Sequence, residues 1–489
     1  MTETNKAAGR NLVIIMSDEH NRDWSGCYGH ALARTPHIDA LAARGTRFSS
    51  AYCNSPICVP SRAAFATGRF VHDTGHWDNA FPYAGSPTSW HQLAREAGVR
   101  STSIGKLHFR GGDDNGFSEE IIPLHVVDGI GDVKGAIRDP LPAKKGCDAL
   151  ARDAGPGLSE YARYDFQIRD RAVDYLKARA LEQSDGESAP PFVLFVSLVM
   201  PHFPLIAPQD FYDQYANLSL DELTDTLQAP SVDHPVLLEL QKYMNYDEYF
   251  DDESRSRALR AYLGMVSTID AIVGDITSVV EGSSLSNNTC MAYTSDHGDN
   301  LGNRGLWGKS VMYEDSVAVP LILAGPDVPQ GHVCSTPVSL VDFHPTVLDV
   351  LGIERPATDM ADTLPGCSLQ QLASTPDEPE RAVFSEYHAA GACTGMFMLR
   401  CGAFKLVAYS GYAPQLFNLE DDPGEVRDLA DQPEYAAVLA SLREAMAAIC
   451  DIEAVNRQVF EQQQALVERH GGRDAVLSGT DIPHTPAPV

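Results

Sequence analysis

Asn11-Leu12-Val13-Ile14-Ile15-Met16-Ser17-Asp18-Glu19 places five consecutive apolar side chains just before a serine and two acids. A strand with one wet face alternates apolar and polar residues, whereas a short unbroken apolar run suits a strand buried on both faces. Residues 191–199, 291–294 and 319–323 share this texture, and 100–104 is a more polar version of it. Helical patterns lie between them, at residues 36–43, 90–97, 165–181 and 254–280. In the last of these, Leu259, Leu263, Val266, Ile269, Ile272 and Ile276 recur at steps of three and four, giving one apolar face. Strands alternating with helices predict an α/β fold with a large mixed, mostly parallel sheet covered on both sides.

At 489 residues the chain has room for that domain and an appendage. Residues 375–379 read as a polar, proline-containing linker. After it come strand-like runs at 381–387, 395–399 and 404–409, helical patterns at 433–449 and 452–469, and a polar tail. The expected division is a large α/β domain over 1–375 and a small C-terminal α+β domain over 376–489. The C-terminal helices and tail read as an association element of a homo-oligomer. Segments 110–157 and 205–252 are rich in Gly, Pro and Asp and weakly periodic, so they read as long connections that carry substrate contacts.

Net charge is −30, from 37 basic and 67 acidic residues. Such a chain repels phosphate backbones and anionic lipid, which argues against nucleic acid and membrane surfaces as partners. An anionic substrate would need local positive charge in its site. No stretch approaches the roughly 18 apolar residues of a membrane span, and the N-terminal apolar run is too short for a signal peptide, so a cytoplasmic address is expected. The ten cysteines contain no CxxC pair and read as reduced thiols, Cys53 and Cys58 among them as two independent ones.

Polar residues fall where the strands end. Asp18 and Glu19 follow the first strand, Lys106 and His108 follow 100–104, His202 follows 191–199, and Asp296 and His297 follow 291–294. Open α/β sheets bind ligands outside the carboxyl ends of their strands. Any one of these residues alone reads as a cap or a solvated group; four strands delivering them to one edge read as a site. Asp18, Glu19, Asp296 and His297 form an oxygen-rich set with one imidazole, suited to Ca²⁺, Mg²⁺ or Mn²⁺. A cation there would supply the missing positive charge.

Cys58-Val59-Pro60-Ser61-Arg62-Ala63-Ala64-Phe65-Ala66-Thr67-Gly68-Arg69 is the sharpest signal. Pro60 fits the first position of a helix and Gly68 its end. Cys58 would then sit at a helix N-terminus, which favours negative charge, with the Arg62 guanidinium one turn on and able to reach the same anion. A cysteine so placed is a candidate nucleophile, and equally a buried structural thiol beside a surface arginine.

The stretch Cys58-x-Pro-Ser-Arg62 with Thr67-Gly68-Arg69 resembles the signature of the sulfatases. Gly105-Lys106-Leu107-His108, Pro201-His202-Phe203-Pro204, Ser295-Asp296-His297-Gly298 and Gly308-Lys309 are similar to further family motifs in the family's order. The resemblance runs from residue 11 to about 430. It implies an alkaline-phosphatase-like α/β/α sandwich. It also implies conversion of Cys58 to formylglycine by a maturation enzyme, and a divalent metal held by Asp18, Glu19, Asp296, His297 and the converted Cys58. By family analogy the metal is Ca²⁺, with Mn²⁺ or Mg²⁺ as alternatives. In the implied mechanism one hydroxyl of the hydrated aldehyde attacks the sulfur of a small anionic sulfate ester. Arg62, Lys106 and Lys309 neutralise the sulfuryl oxygens, and His202 with Lys309 protonates the leaving alcohol. The second hydroxyl, deprotonated by His108, then expels sulfate.

Asp78-Asn79-Ala80, residues 313–320, Ser385-Glu386-Tyr387 and residues 415–419 are most similar to the choline-sulfatase-like branch, and Asn79 enters as a substrate contact. The chain departs from that branch in having no Trp at 126–132 and no acid at 389–391, where a quaternary ammonium cage would need them. The expected reaction is hydrolysis of aryl or small alkyl sulfate monoesters. The alternatives are a phosphonate monoester or phosphodiester hydrolase of the same superfamily, disfavoured by Lys106 and His108, and a non-catalytic oxyanion-binding protein.

Overall fold

The computed structural model describes residues 9–184, 190–225, 227, 229–354, 364–479 and 485–488. Its main sheet has eight strands: β1 (Asn11–Asp18), β2 (Gly45–Phe48), β3 (Arg100–Lys106), β4 (Glu119–Leu124), β5 (Phe192–Pro201), β6 (Thr289–Ser295), β7 (Leu321–Ala324) and β8 (His332–Cys334). Their order across the sheet is β8-β2-β7-β6-β1-β5-β3-β4. Only β7 runs against its neighbours; every other pairing is parallel. The four strands expected to carry the site, β6, β1, β5 and β3, are therefore consecutive, and their carboxyl ends meet at one edge.

The opening run behaves as its texture requires. Leu12, Ile14 and Met16 enter one core layer, while Val13 and Ile15 enter the other. Against the second layer lie the helices Glu160–Ser184 and Asp252–Glu281, the latter capped by Asp251, whose side chain accepts from the Ser254 N–H. By length and composition Asp252–Glu281 is apolar enough to cross a membrane, although its apolar residues form no unbroken run. Its apolar residues, including Leu259, Leu263, Val266 and Ile269, are instead spent on the sheet. The first layer is covered by the helices Cys58–Thr67, Trp90–Glu96 and Phe343–Leu351.

Strands β2, β4 and β8 were not legible in the apolar pattern. Strand β4 lies inside the stretch 110–157 that read as a loose connection. It is an edge strand, paired only with β3 and only partly buried, so it has no need of an apolar run. Beyond residue 375 four antiparallel strands, β9 (Val383–Tyr387), β10 (Met396–Cys401), β11 (Phe404–Tyr409) and β12 (Gln415–Asn418), form a second sheet in simple order. The helices Ala436–Ile449 and Ile452–Arg469 follow it. The second of these turns inward: Gln463 is buried and donates to Asp78 at 2.6 Å, beside Asn79.

Candidate active site

Every residue of the helix Cys58–Thr67 is buried. The helix begins at Cys58, so Pro60 occupies its third position rather than its first. That is still within the turn whose N–H groups have no helical acceptor, so the missing donor costs nothing. Gly68 closes the helix at φ 67°, its N–H donating to the Ala64 carbonyl.

Around the Cys58 sulfur the four strand ends converge. Sγ lies 3.7 Å from Lys106 Nζ, 3.6 Å from Lys309 Nζ, 3.4 Å from His297 Nε2 and 3.7 Å from Asp18 Oδ1. Asp18, Cys58, Asp296 and His297 offer ligand atoms within 4.8 Å of one another, and Asp18, Glu19 and His202 form an adjoining group on the same terms. Glu19 thus stands on the His202 side: its Oε2 pairs with Lys309 Nζ at 3.0 Å and lies 3.5 Å from His202 Nε2. Asn79 accepts from the Val59 N–H at 3.2 Å, close to the sulfur.

Arg62 lies deeper. Its Nε donates to Asp296 Oδ2 and its Nη1 to the Lys106 carbonyl and Ser197 Oγ, all at 2.8 Å. Of its nitrogens only Nη2 lacks a hydrogen-bond partner among the described residues, and it is 3.6 Å from Asp18. The guanidinium braces the two acids and ties β3 to β5 underneath the cysteine.

The backbone is strained here. Glu19 and His108 hold φ of 70° and 55°, in the left-handed region that residues with a Cβ enter at a cost of about 1–2 kcal/mol. Both are pinned. The Glu19 carbonyl accepts from the Tyr262 hydroxyl at 2.8 Å, and the His108 N–H donates to the Leu124 carbonyl at 2.9 Å. Asp299 Oδ1 accepts from the N–H groups of Leu301 and Gly308, each at 2.8 Å, and so shapes the loop that presents Lys309.

Burial and charge set the protonation pattern. Burial alone would raise Asp18, but Lys106, His202, Arg62 and Lys309 together hold it well below the usual carboxylate range. At Glu19 burial outweighs Lys309, pushing the carboxyl up to about 7. His108 and His202 are driven well down, by burial and then by the nearby lysines. The Cys58 thiol is pushed up to about 12 by burial and Asp18, against Lys106 and Lys309. That shift runs against the negative charge a helix N-terminus favours.

A cavity of about 140 Å³ opens onto this cluster. Glu19, Cys58, Asn79, Lys106, His108, His202 and Lys309 line it, while Asp18, Arg62, Asp296 and His297 lie behind it. The two connections expected to carry substrate contacts do line it, through Val126, Asp132 and Lys144 from one and Met244 and Tyr246 from the other. Sequence reasoning missed Tyr161, Trp307, Tyr387 and Thr485 in its wall. Trp307 could have been found, since it stands two residues before Lys309; Thr485 carried no signal.

A sulfatase family model matches residues 10–353. The chain belongs to the sulfatase family. A second model, described as the C-terminal part of N-sulphoglucosamine sulphohydrolase, matches residues 302–451 of this sulfatase. A choline-sulfatase of Rhizobium meliloti is 34% identical over 475 residues, covering 93% of this chain and 89% of that protein. The arylsulfatase K of Homo sapiens is 30% identical over 478 residues, covering 93% and 85%. Among solved structures, a phosphonate monoester hydrolase of Agrobacterium radiobacter superposes with a TM-score of 0.69 at 21% identity, covering 90% of this chain and 95% of that one. A 2-O GAG sulfatase superposes with the same score at 22% identity, covering 90% and 91%. At these identities the superpositions speak for the alkaline-phosphatase-like fold alone.

The donor set fits a divalent cation. Glu19 Oε1 is buried with no hydrogen-bond partner among the described residues, and the buried Asp18 and Asp296 carboxylates lie 3.6 and 3.7 Å from the His297 imidazole. Such oxygen-rich surroundings suit a hard cation.

Proposed function

We propose that the chain hydrolyses sulfate monoesters of small alcohols or phenols and releases inorganic sulfate. The observation that carries this reading is the placing of the Cys58 sulfur between two ammonium groups, Lys106 at 3.7 Å and Lys309 at 3.6 Å, at the floor of the cavity. A sulfuryl group seated over Cys58 has both cations against its oxygens, which is where charge builds in the transition state.

The stretch Cys58-x-Pro-Ser-Arg62, with Cys58 at the floor of the cavity, supports its conversion to formylglycine. The converted residue would supply a hydrated aldehyde, whose hydroxyls are better suited than a thiol to forming and releasing a sulfate ester. Asp18, Asp296, His297 and the converted residue would hold the divalent cation, Ca²⁺ by preference, with Glu19 beside them. Its chemistry would be Lewis-acid stabilisation of anionic oxygens. Asn79 orients the first turn of the Cys58 helix. His202, whose Nδ1 donates to the Phe203 carbonyl at 2.7 Å, presents its Nε2 lone pair towards Glu19 and the cavity, so the Lys309 ammonium beside it gives the leaving oxygen its proton and His202 orients that transfer. His108 serves as the base.

The test is kcat/KM for an aryl sulfate against the matching aryl phosphonate monoester, using enzyme co-produced with a formylglycine-generating partner, with Cys58→Ala as the control. A strong sulfate preference lost in the control is the expected result. A preference for the phosphonate would replace this reading with phosphorus-ester hydrolysis on the same scaffold. Peptide mass spectrometry over Cys58 checks the conversion, and an unmodified thiol in active material would overturn that part.

A further inference from the structure

The C-terminal segment reaches into the catalytic cavity. Thr485 lines it, with Oγ1 3.0 Å from His108 Nε2. Two further contacts fix the segment: the Tyr161 hydroxyl donates to the Thr485 carbonyl at 2.7 Å, and Ala487 packs against the core layer beneath. Tyr161 itself lines the cavity, so the tail is held from within the site.

His108 is otherwise poorly supported. Its ring is buried, and Nδ1 has no hydrogen-bond partner among the described residues. Its backbone is held left-handed by the bond to Leu124, which fixes where the ring starts but not which nitrogen carries the proton. A neutral imidazole has one N–H and one lone pair, and the nitrogen that donates determines which one can act as a base. Thr485 Oγ1 is the hydrogen-bond partner available to Nε2.

We propose that Thr485 is a positioning residue of this active site: its hydroxyl oxygen accepts the Nε2 proton of His108 and leaves the Nδ1 lone pair free to act as the base. The inference rests on the reading of His108 as base in sulfate ester hydrolysis. It goes further in making the C-terminal tail a working part of the site. No bond to substrate is involved. The threonine sets the tautomer and the ring angle, and the proton that His108 removes goes to Nδ1.

The experiment uses the full-length matured enzyme with Thr485→Val, which keeps the shape and removes the hydroxyl, and Thr485→Ser, which restores it. Steady-state kinetics on an aryl sulfate are joined by ¹⁵N spectra of histidine-labelled protein, in which the His108 signals are assigned by their loss in His108→Gln. Thr485→Val is expected to lower kcat by about tenfold or more with KM little changed, as loss of an orienting partner does. It should also lose the protonated-Nε2 signature, and Thr485→Ser should recover both. Unchanged or increased kcat in Thr485→Val, failure of serine to rescue, or a tautomer signature that does not move would overturn the proposal. If the wild-type enzyme hydrolyses no sulfate ester, the proposed function fails, while the imidazole spectra still decide the role of Thr485.

Discussion

Lys309 is set in place by Asp299, a carboxylate on the wall of the same cavity. Asp299 gathers the Leu301 and Gly308 N–H groups, and the next residue presents its ammonium 3.0 Å from Glu19 and 3.6 Å from the Cys58 sulfur. Removing it takes away a cation where charge develops and also the main counter-charge of Glu19, whose carboxyl already sits at about 7. Lys309→Ala is therefore expected to lower kcat/KM by about 10²–10³-fold, on the scale of losing one donor to a developing oxyanion. Lys309→Arg should not restore it, because a planar fork cannot replace a compact ammonium between two partners. Steady-state kinetics on an aryl sulfate check both. Lys309 was legible in the sequence through its motif, as were Cys58, Lys106, His108 and His202. Asp299 carries no motif signal of its own, and the turn it holds is the one that aims Lys309. Arg62 was legible as a neighbour of Cys58, yet its direction was not. The i, i+4 spacing puts it beneath the cysteine, and only the packed acids decide that it points at Asp296.

At the scale of elements, the helix Cys58–Thr67 shows how little freedom the site has. Gly68 ends it in the left-handed region, and a Cβ there would stand 2.6 Å from the Cβ of His344, on the helix Phe343–Leu351. Gly68→Ala combines the conformational cost, about 1–2 kcal/mol, with a clash that must push the two helices apart. Urea denaturation should show a loss of at least that size, and kcat should fall with it because Cys58 begins the same helix. An unchanged denaturation midpoint would show that the helix end repacks freely. The helices and central strands were legible because burial on both faces leaves a strong trace in sequence: β1 divides the apolar side chains of residues 12–16 between two core layers. The edge strand β4 leaves no such trace, since partial burial tolerates Glu119 and Glu120, and the four-residue β2 is too short to show one, its buried Thr46 being satisfied by the Pro329 carbonyl at 2.9 Å. Positive φ at Glu19 and His108 left no trace either, because neither residue is one that local sequence would place there.

The second sheet is joined to the catalytic layers by buried charge, and this decides how the whole molecule responds to mutation and acid. Lys405, on β11, is fully buried and pairs with Glu314 at 2.9 Å and Glu425 at 2.7 Å, while Arg22 reaches Glu314 from the other side at 3.0 Å. Lys405→Met would leave two buried carboxylates facing one another, and a loss of about 3–5 kcal/mol is expected in urea denaturation. A second join lies where Glu386 on β9 sits between His72 Nδ1 at 2.7 Å and His388 Nε2 at 2.9 Å. Burial works to raise Glu386, but the two histidines outweigh it and bring the carboxyl down to about 2. Its folded value lies below its unfolded one, so the stabilisation is fully present above the unfolded value of about 4.5 and is lost as pH falls through about 2. A gap of this size is worth about 3 kcal/mol near neutrality. At pH 3 the unfolded carboxyl is already mostly protonated while the folded one is not, and about 1 kcal/mol remains. Glu386→Gln removes this dependence. Between pH 6 and pH 3 the variant should therefore lose less stability than the wild type, by about 2 kcal/mol. Denaturation midpoints at both pH values measure it. Parallel losses in the two proteins would mean that the acid sensitivity of the molecule arises elsewhere than at the His72–Glu386–His388 join.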